Sequence, residues 1–163
     1  MDQLAVGLSY LGGTLALLGG LLGSSLGLGK TGIAGSAALA EDPKQFRNVF
    51  LLAALPMTQT FYGLIVMIQF TLFLNTVVSQ GSDFQLNTGL AMLGLGLAAS
   101  FAEAFSAWYQ GLVCASGIAE LPRTKGKITF NTMILAIYVE LIGILGMVFS
   151  IMGLSIIRAA IGV

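Results

Sequence analysis

The sequence predicts an all-α membrane protein in which four transmembrane helices form two duplicated helical hairpins. Of its 163 residues, 56% are hydrophobic and only 9% are charged, and the mean hydropathy is +0.94. This composition is too apolar for a soluble domain of this size. The apolar residues also gather into four long runs, and the two halves of the chain follow a similar plan. These observations define the predicted fold class.

The four apolar segments cover residues 4–40, 49–78, 86–119 and 128–157. Each is longer than the roughly 20 residues that cross the hydrocarbon as a helix, so some should project beyond it. The charged residues within these segments are Lys30, Glu103 and Glu140. The N-terminal sequence MDQLAV has no basic residue ahead of the first segment, so we expect that segment to be retained rather than cleaved as a signal peptide.

The basic residues predict the orientation, because cytoplasmic loops carry an excess of Lys and Arg. The middle loop, SQGSDFQ, carries only Asp83. We therefore expect the first and third loops to be cytoplasmic and both termini to lie outside, where Arg158 is the one basic residue. The basic residues in or beside the first and third loops are Lys30, Lys44, Arg47, Arg123, Lys125 and Lys127.

An internal repeat relates the two hairpins, residues 1–80 and residues 81–163. Residues 32–43 align with 111–122, and residues 57–63 align with 140–146 once the loop lengths are adjusted. The repeat predicts two parallel copies of one two-helix unit. Met57 stands where the second copy has Glu140, so only the second hairpin retains the carboxylate.

Small residues recur at every fourth position in the first and third segments. This spacing puts each set on one helix face, where backbones can approach closely. Such faces suit a tight ring of inner helices, and packing of two helices within one monomer is the alternative. The sets are Gly19, Gly23 and Gly27; Gly12, Ala16, Gly20 and Ser24; and Gly94, Ala98, Ala102 and Ser106.

The stretch GSSLGLGKTG, residues 23–32, resembles a nucleotide-binding phosphate loop only in its GKT. That loop requires Gly six residues before the Lys, where this chain has Ser24, and it should follow a soluble strand. We expect close helix packing here instead, with Lys30 at the cytoplasmic end of the first helix. A single cysteine, Cys114, and no His leave little basis for an internal disulfide or a transition-metal site. The net charge of zero gives no indication of nucleic-acid binding.

Glu140 is the strongest candidate for function. It lies near the middle of the fourth segment, in AIYVELIGILG. An ionised carboxylate is costly there, so it should be protonated or paired with a cation, and such a group indicates function by default. A protonated glutamate with a purely structural role is the alternative.

The second segment offers oxygen atoms that could join Glu140. In LPMTQTFYG, Thr58, Gln59 and Tyr62 share one helix face. Pro56 removes one backbone N–H and disturbs the helix, which loosens neighbouring carbonyl groups. Carbonyl, hydroxyl, amide and carboxylate oxygens together suit a hard cation, and Gln110 would add a further oxygen if it faces the same place.

The segments LPMTQTFYG, FSAWYQG and VELIGILG resemble the ligand-bearing segments of the proteolipid (K/c) ring subunits of V-type ATPases, in particular the bacterial sodium-translocating K subunits. The resemblance implies a homo-oligomeric rotor ring of four-helix subunits in the bacterial plasma membrane. The ring would contact membrane lipid, turn against a stator membrane subunit and connect to a central stalk. It also implies that one ion is carried per subunit and that ATP is hydrolysed on other subunits.

The resemblance further implies a Na⁺ site. Its ligands would be the Leu55 carbonyl, the Thr58 hydroxyl, the amide oxygens of Gln59 and Gln110, and the Glu140 carboxylate. Tyr62 would hold Glu140 by a hydrogen bond. Glu103 has no role in the resemblance, and we expect a protonated side chain that faces the ring interior or a neighbouring helix.

Two other functions compete with a sodium ring. A proton-carrying ring would need only Glu140. A small cation-coupled drug antiporter also places one Glu in a helical bundle, but aromatic residues should then surround the carboxylate. The neighbours of Glu140 are mostly aliphatic apart from Tyr138, and an antiporter leaves the Thr58–Gln59 pair unexplained.

Overall fold

The computed structural model describes residues 2–81 and 84–162, so Asp83 of the middle loop lies outside the described residues. Over these two ranges the chain is helical and contains no strand. Four stretches are long and apolar enough to span a membrane: Gln3–Glu41, Pro43–Gln80, Leu86–Ala119 and Thr129–Ile161. The helices are α1 (Gln3–Glu41), α2 (Phe46–Ala54), α3 (Thr58–Gln80), α4 (Leu86–Ala119), α5 (Leu121–Thr124) and α6 (Thr129–Ile161), with 3₁₀ turns at Pro43–Gln45 and Leu55–Met57.

Helix α1 begins at a capping aspartate and matches the first apolar segment, residues 4–40, but it does not end near Lys30. The Asp2 carboxylate accepts a hydrogen bond from the Leu4 backbone N–H at 2.9 Å. The helix then continues through Lys30 to Glu41, about 16 Å beyond the lysine. The expectation that Lys30 marks the helix end is therefore wrong. The extension is stabilised by packing, because Gly35 lies against the Val49 side chain of α2.

The loop after α1 is stabilised by Asp42. Its carboxylate accepts hydrogen bonds from the Lys44 backbone N–H at 3.1 Å and from Gln45 Nε2 at 2.9 Å. The Gln45 hydrogen bond, followed by the Lys44 backbone, holds the pKa of Asp42 below its ordinary value. These contacts fix the short connection from α1 into the second span.

The parallel helices α1 and α4 form the closest packed pair. Gly27 and Gly111 meet backbone to backbone, and Gly12 meets Gly96 in the same way. A Cβ atom on Gly12 would lie 2.7 Å from the Met92 carbonyl oxygen. These α1 glycines therefore pack against α4 of the same chain. Of the two kinds of packing that the glycine spacing allowed, this is the one within a monomer.

Helices α3 and α6 complete the bundle, and the apolar core divides into two clusters. One cluster includes Phe70, Phe73 and Met92, and the other includes Leu52 and Ile118. Along α3, α4 and α6, a layer of polar residues lies between the clusters. Its fully or almost fully buried members are Gln59, Glu103, Ser106 and Gln110.

Candidate ion-binding site

A 3₁₀ turn around Pro56 interrupts the second span and gathers three oxygen atoms. The Thr58 backbone N–H donates to the Leu55 carbonyl oxygen, as the shorter repeat of the turn requires. The Thr58 hydroxyl oxygen lies 3.1 Å from the Leu55 carbonyl oxygen and 3.1 Å from Gln59 Oε1. The disturbance expected at Pro56 is thus present, and it places a carbonyl, a hydroxyl and an amide oxygen together.

Helices α4 and α6 bring the carboxylate to the same place. Gln110 Nε2 donates to Glu140 Oε2 at 3.2 Å, and Gln59 Nε2 donates to Gln110 Oε1 at 2.9 Å. The Tyr62 hydroxyl donates to Glu140 Oε1 at 2.8 Å. Gln110 therefore does face the second span, and one hydrogen-bonded chain joins residues from three helices.

Burial differs across this cluster. Gln59 and Gln110 are fully buried, whereas Thr58, Tyr62 and Glu140 are partly exposed. The carboxylate thus lies at the edge of the bundle with neutral oxygen atoms behind it. Such an arrangement can offer a cation one negative charge and several replacements for its water ligands while leaving a route for exchange.

Ser106 belongs to this cluster, although its position in the sequence did not identify it as a site residue. Its hydroxyl accepts a hydrogen bond from Gln59 Nε2 at 3.0 Å and donates one to the Val139 carbonyl oxygen at 3.0 Å. The sequence placed it only among the small residues of the third segment. Its spacing from Gln110, four residues on the same helix, was the available signal.

Glu103 is a second buried carboxyl close to this cluster. It is fully buried, and neither carboxylate oxygen has a hydrogen-bond partner within the described ranges. Its Oε2 would lie 2.8 Å from a Cβ atom on Gly143 of α6. Of the two orientations expected from the sequence, the side chain therefore adopts the one toward a neighbouring helix.

Met57, the repeat partner of Glu140, has different surroundings. Its side chain is 45% exposed. It lines a shallow groove with Leu28, Phe50, Ala53 and Ala54, so the residues around it in that groove are apolar.

The fold and the cluster define an integral membrane protein built around one half-buried carboxylate. The sequence profile of the ATP synthase C-subunit family matches residues 4–70 and 93–153. The chain belongs to this family and is a proteolipid subunit of a V/A-type ATPase rotor ring. The predicted family and fold class are thereby confirmed.

Two relatives extend over most of the chain. The V-type sodium ATPase subunit K of Enterococcus hirae is 37% identical over 129 residues, which cover 79% of this chain and 78% of that protein. The A-type ATP synthase subunit K of Methanocaldococcus jannaschii is 31% identical over 152 residues, which cover 93% of this chain and 63% of that protein. The chain thus spans less than two thirds of the archaeal relative.

Proposed function

We propose that this protein carries Na⁺ across the membrane as the ring rotates, with one ion bound per chain. The ligands would be the five groups expected from the sequence, those of Leu55, Thr58, Gln59, Gln110 and Glu140. The observation that carries the proposal is the convergence of Thr58 Oγ1, the Leu55 carbonyl oxygen and Gln59 Oε1 beside the Gln110–Glu140 pair. The name of the Enterococcus relative, a sodium ATPase subunit, supports the same ion.

The number of oxygen atoms favours Na⁺ over a proton. A proton needs one carboxyl group and a route to it. Na⁺ must replace its water shell with several oxygen atoms, since an incompletely coordinated cation is strongly disfavoured in an apolar medium. Two buried amides and a hydroxyl beside Glu140 would supply that replacement, whereas a proton site would gain little from them.

The carboxylate would also allow the loaded subunit to move through lipid. Bound Na⁺ cancels the charge of Glu140, so the occupied site is neutral as the ring turns. At the stator membrane subunit, a fixed cation would displace Na⁺ by pairing with Glu140. Rotation would be driven through the central stalk by ATP hydrolysis on other subunits.

The proposal also includes the two-hairpin organisation of the chain, its membrane and its orientation. Residues 1–80 and 81–163 would act as duplicated hairpins, of which only the second bears an ion-binding carboxylate. The ring would lie in a bacterial plasma membrane with both termini outside. The repeat supports the two hairpins, the distribution of Lys and Arg supports the orientation, and the resemblance to bacterial K subunits supports the bacterial membrane.

A proton-carrying ring is the second candidate function. The partial exposure of Glu140 at the edge of the bundle supports it, because a proton needs only one carboxyl group and a route to it. The two functions differ in whether Na⁺ competes with protons for Glu140.

Carbodiimide labelling of the purified complex separates the two ions, since the reagent modifies a protonated carboxyl group. Millimolar Na⁺ at neutral or higher pH should protect Glu140 and stimulate ATP hydrolysis. Protection should weaken as the pH falls, because protons then compete for the carboxylate. If Na⁺ neither protects nor stimulates, the proton-carrying function replaces the sodium one.

Ligand variants test the same site. Gln110→Ala and Thr58→Ala should raise the Na⁺ concentration needed for protection while leaving the ring assembled. Thr71→Ala is a matched control on α3, because the Thr71 hydroxyl donates to the Met67 carbonyl oxygen of its own helix. A rise of equal size in the control would mean that the effect does not come from ligand loss.

A further inference from the structure

Ser106 lies where α3, α4 and α6 meet. Its side chain is almost fully buried, at 1% exposure. Its hydroxyl is bonded on one side to Gln59 of α3 and on the other to the carbonyl oxygen of Val139 on α6. Since Val139 directly precedes Glu140, the Ser106 hydroxyl connects the α3 side of the candidate site to its α6 side.

The contact with Val139 fixes what this hydroxyl can offer to Gln59. A serine hydroxyl carries one hydrogen atom, and that hydrogen is donated to the Val139 carbonyl oxygen. Toward Gln59 the hydroxyl can therefore only accept a hydrogen bond. This selects the amide nitrogen of Gln59 rather than the amide oxygen as its neighbour.

Gln110 favours the same orientation of the Gln59 amide. Its own nitrogen is directed to Glu140 and the Ala136 carbonyl oxygen, so its oxygen accepts the hydrogen bond from Gln59. The second lone pair of that oxygen stays available for the cation. Gln59 Nε2 donates one hydrogen to Gln110 and one to Ser106. With both hydrogens used, Gln59 Oε1 is left beside the Thr58 hydroxyl, at 3.1 Å.

We propose that Ser106 is a positioning residue of the cation site, which keeps the Gln59 amide turned with its oxygen toward the ion. The proposal rests on the proposed Na⁺ function. A reversed amide would present N–H groups to the cation and remove one ligand. Ser106 therefore acts on the affinity for Na⁺ through Gln59 without touching the ion.

The first test compares Ser106→Ala with Ser150→Ala in the assembled ring. Ser150 matches Ser106 in burial, at 1% exposure, and its hydroxyl lies 2.8 Å from the Gly146 carbonyl oxygen of its own helix and 3.2 Å from the Leu95 carbonyl oxygen of α4. It lies ten residues beyond Glu140, about 15 Å along α6. Ser106→Ala should raise the Na⁺ concentration for half-protection of Glu140 about tenfold, as expected for loss of an outer partner of a metal site. Ser150→Ala should leave it unchanged.

Proton binding by Glu140 distinguishes a positioning role of Ser106 from a general effect on helix packing. A proton on Glu140 needs no oxygen atom from Gln59. The pH dependence of carbodiimide labelling without Na⁺ should therefore be the same in the wild-type ring and in Ser106→Ala. General loosening of the helices would shift labelling with and without Na⁺ together, and that result would contradict a positioning role.

A double-mutant comparison tests whether Ser106 acts through Gln59. Adding Ser106→Ala to Gln59→Ala should raise the Na⁺ requirement no further than Gln59→Ala alone. If Ser106→Ala fails to assemble, Ser106→Cys keeps a similar volume with a weak donor and acceptor, and it should also raise the requirement.

The outcomes separate this inference from the function on which it rests. If Na⁺ protects the wild-type ring and the Ser106 variants need no more Na⁺, or if the Ser106 and Gln59 effects add, the positioning role is wrong and the sodium function stands. If Na⁺ fails to protect the wild-type ring, both proposals are wrong.

Discussion

The Tyr62 hydroxyl donates a hydrogen bond of 2.8 Å to Glu140 Oε1 and so joins α3 to α6. The other carboxylate oxygen accepts from Gln110 Nε2. Each oxygen of Glu140 therefore has a donor on a different helix. Because Glu140 lies at the bundle edge, this pair of hydrogen bonds sets the direction in which the carboxylate points.

Tyr62→Phe should weaken the hold on Glu140 without emptying the site. A hydrogen bond to a charged group contributes roughly 1.5–3 kcal/mol, which corresponds to about a tenfold or greater change in an equilibrium constant. We expect the Na⁺ concentration for half-protection against carbodiimide to rise by about that factor. Tyr138→Phe, at a 67% exposed position of α6, should have no effect. Equal protection in Tyr62→Phe and wild type would show that the hydroxyl does not support the bound state.

Gly143→Ala should crowd the buried side chains that pack behind the ion-binding site. The added Cβ would lie 2.8 Å from Glu103 Oε2, 3.1 Å from Ser106 Oγ and 3.1 Å from Gln59 Cγ. Overpacking of this kind costs about 1–3 kcal/mol. The thermal stability of the ring should fall and the Na⁺ requirement should rise.

A second substitution tests the cause of that effect. Glu103→Ala removes the nearest of the crowded atoms, so Gly143→Ala should lower the stability less in the Glu103→Ala background than in the wild type. If Gly143→Ala lowers the stability equally in both backgrounds, crowding against Glu103 does not explain the defect.

Glu103→Gln should leave ion transport nearly unchanged. A fully buried carboxyl group without a cationic partner is expected to be neutral, and glutamine preserves its size and a hydrogen-bond donor. Na⁺-dependent ATP hydrolysis and uptake of labelled Na⁺ into vesicles should match the wild type, whereas Glu140→Gln should abolish both. A loss comparable to that of Glu140→Gln would identify Glu103 as a second functional carboxylate.

Met57→Glu should not create a second ion site. The residues that line the groove with Met57 are apolar, so a new carboxylate there would lack the amide and hydroxyl oxygens that accompany Glu140. Equilibrium binding of labelled Na⁺ should give one ion per chain in both proteins. Two ions per wild-type chain would contradict the single-site proposal.

Much of the fold could be predicted from local patterns. Apolar segment length predicted four spans, and the residues of LPMTQTFYG share a face because spacings of three and four lie on one side of a helix. Lys30 was misleading because a charge limits how deep a residue lies in the membrane, whereas a helix can continue into water. The apolar run to residue 40 indicated that continuation, and packing of Gly35 against Val49 stabilises it.

Contacts between helices were harder to predict from the sequence than the helix face on which each residue lies. A four-residue spacing of glycines defines a stripe but not the helix that packs on it, since the rotation of each helix about its axis is set by the whole bundle. For the same reason Ser106 could be assigned only to a row of small residues. Its role depends on Gln59 and Val139 on two other helices, which are distant from it in sequence.

The backbone contacts of Gly12 with Gly96 and of Gly27 with Gly111 also have a mechanical consequence. Side chains under load can change rotamer, whereas a helical backbone can yield only by straining its hydrogen bonds. Two helices that touch through their backbones should therefore behave as one stiff rod. A torque applied at one end of α1 and α4 would reach the level of Glu140 with little elastic twist, so this pair of helices should contribute little compliance to the ring.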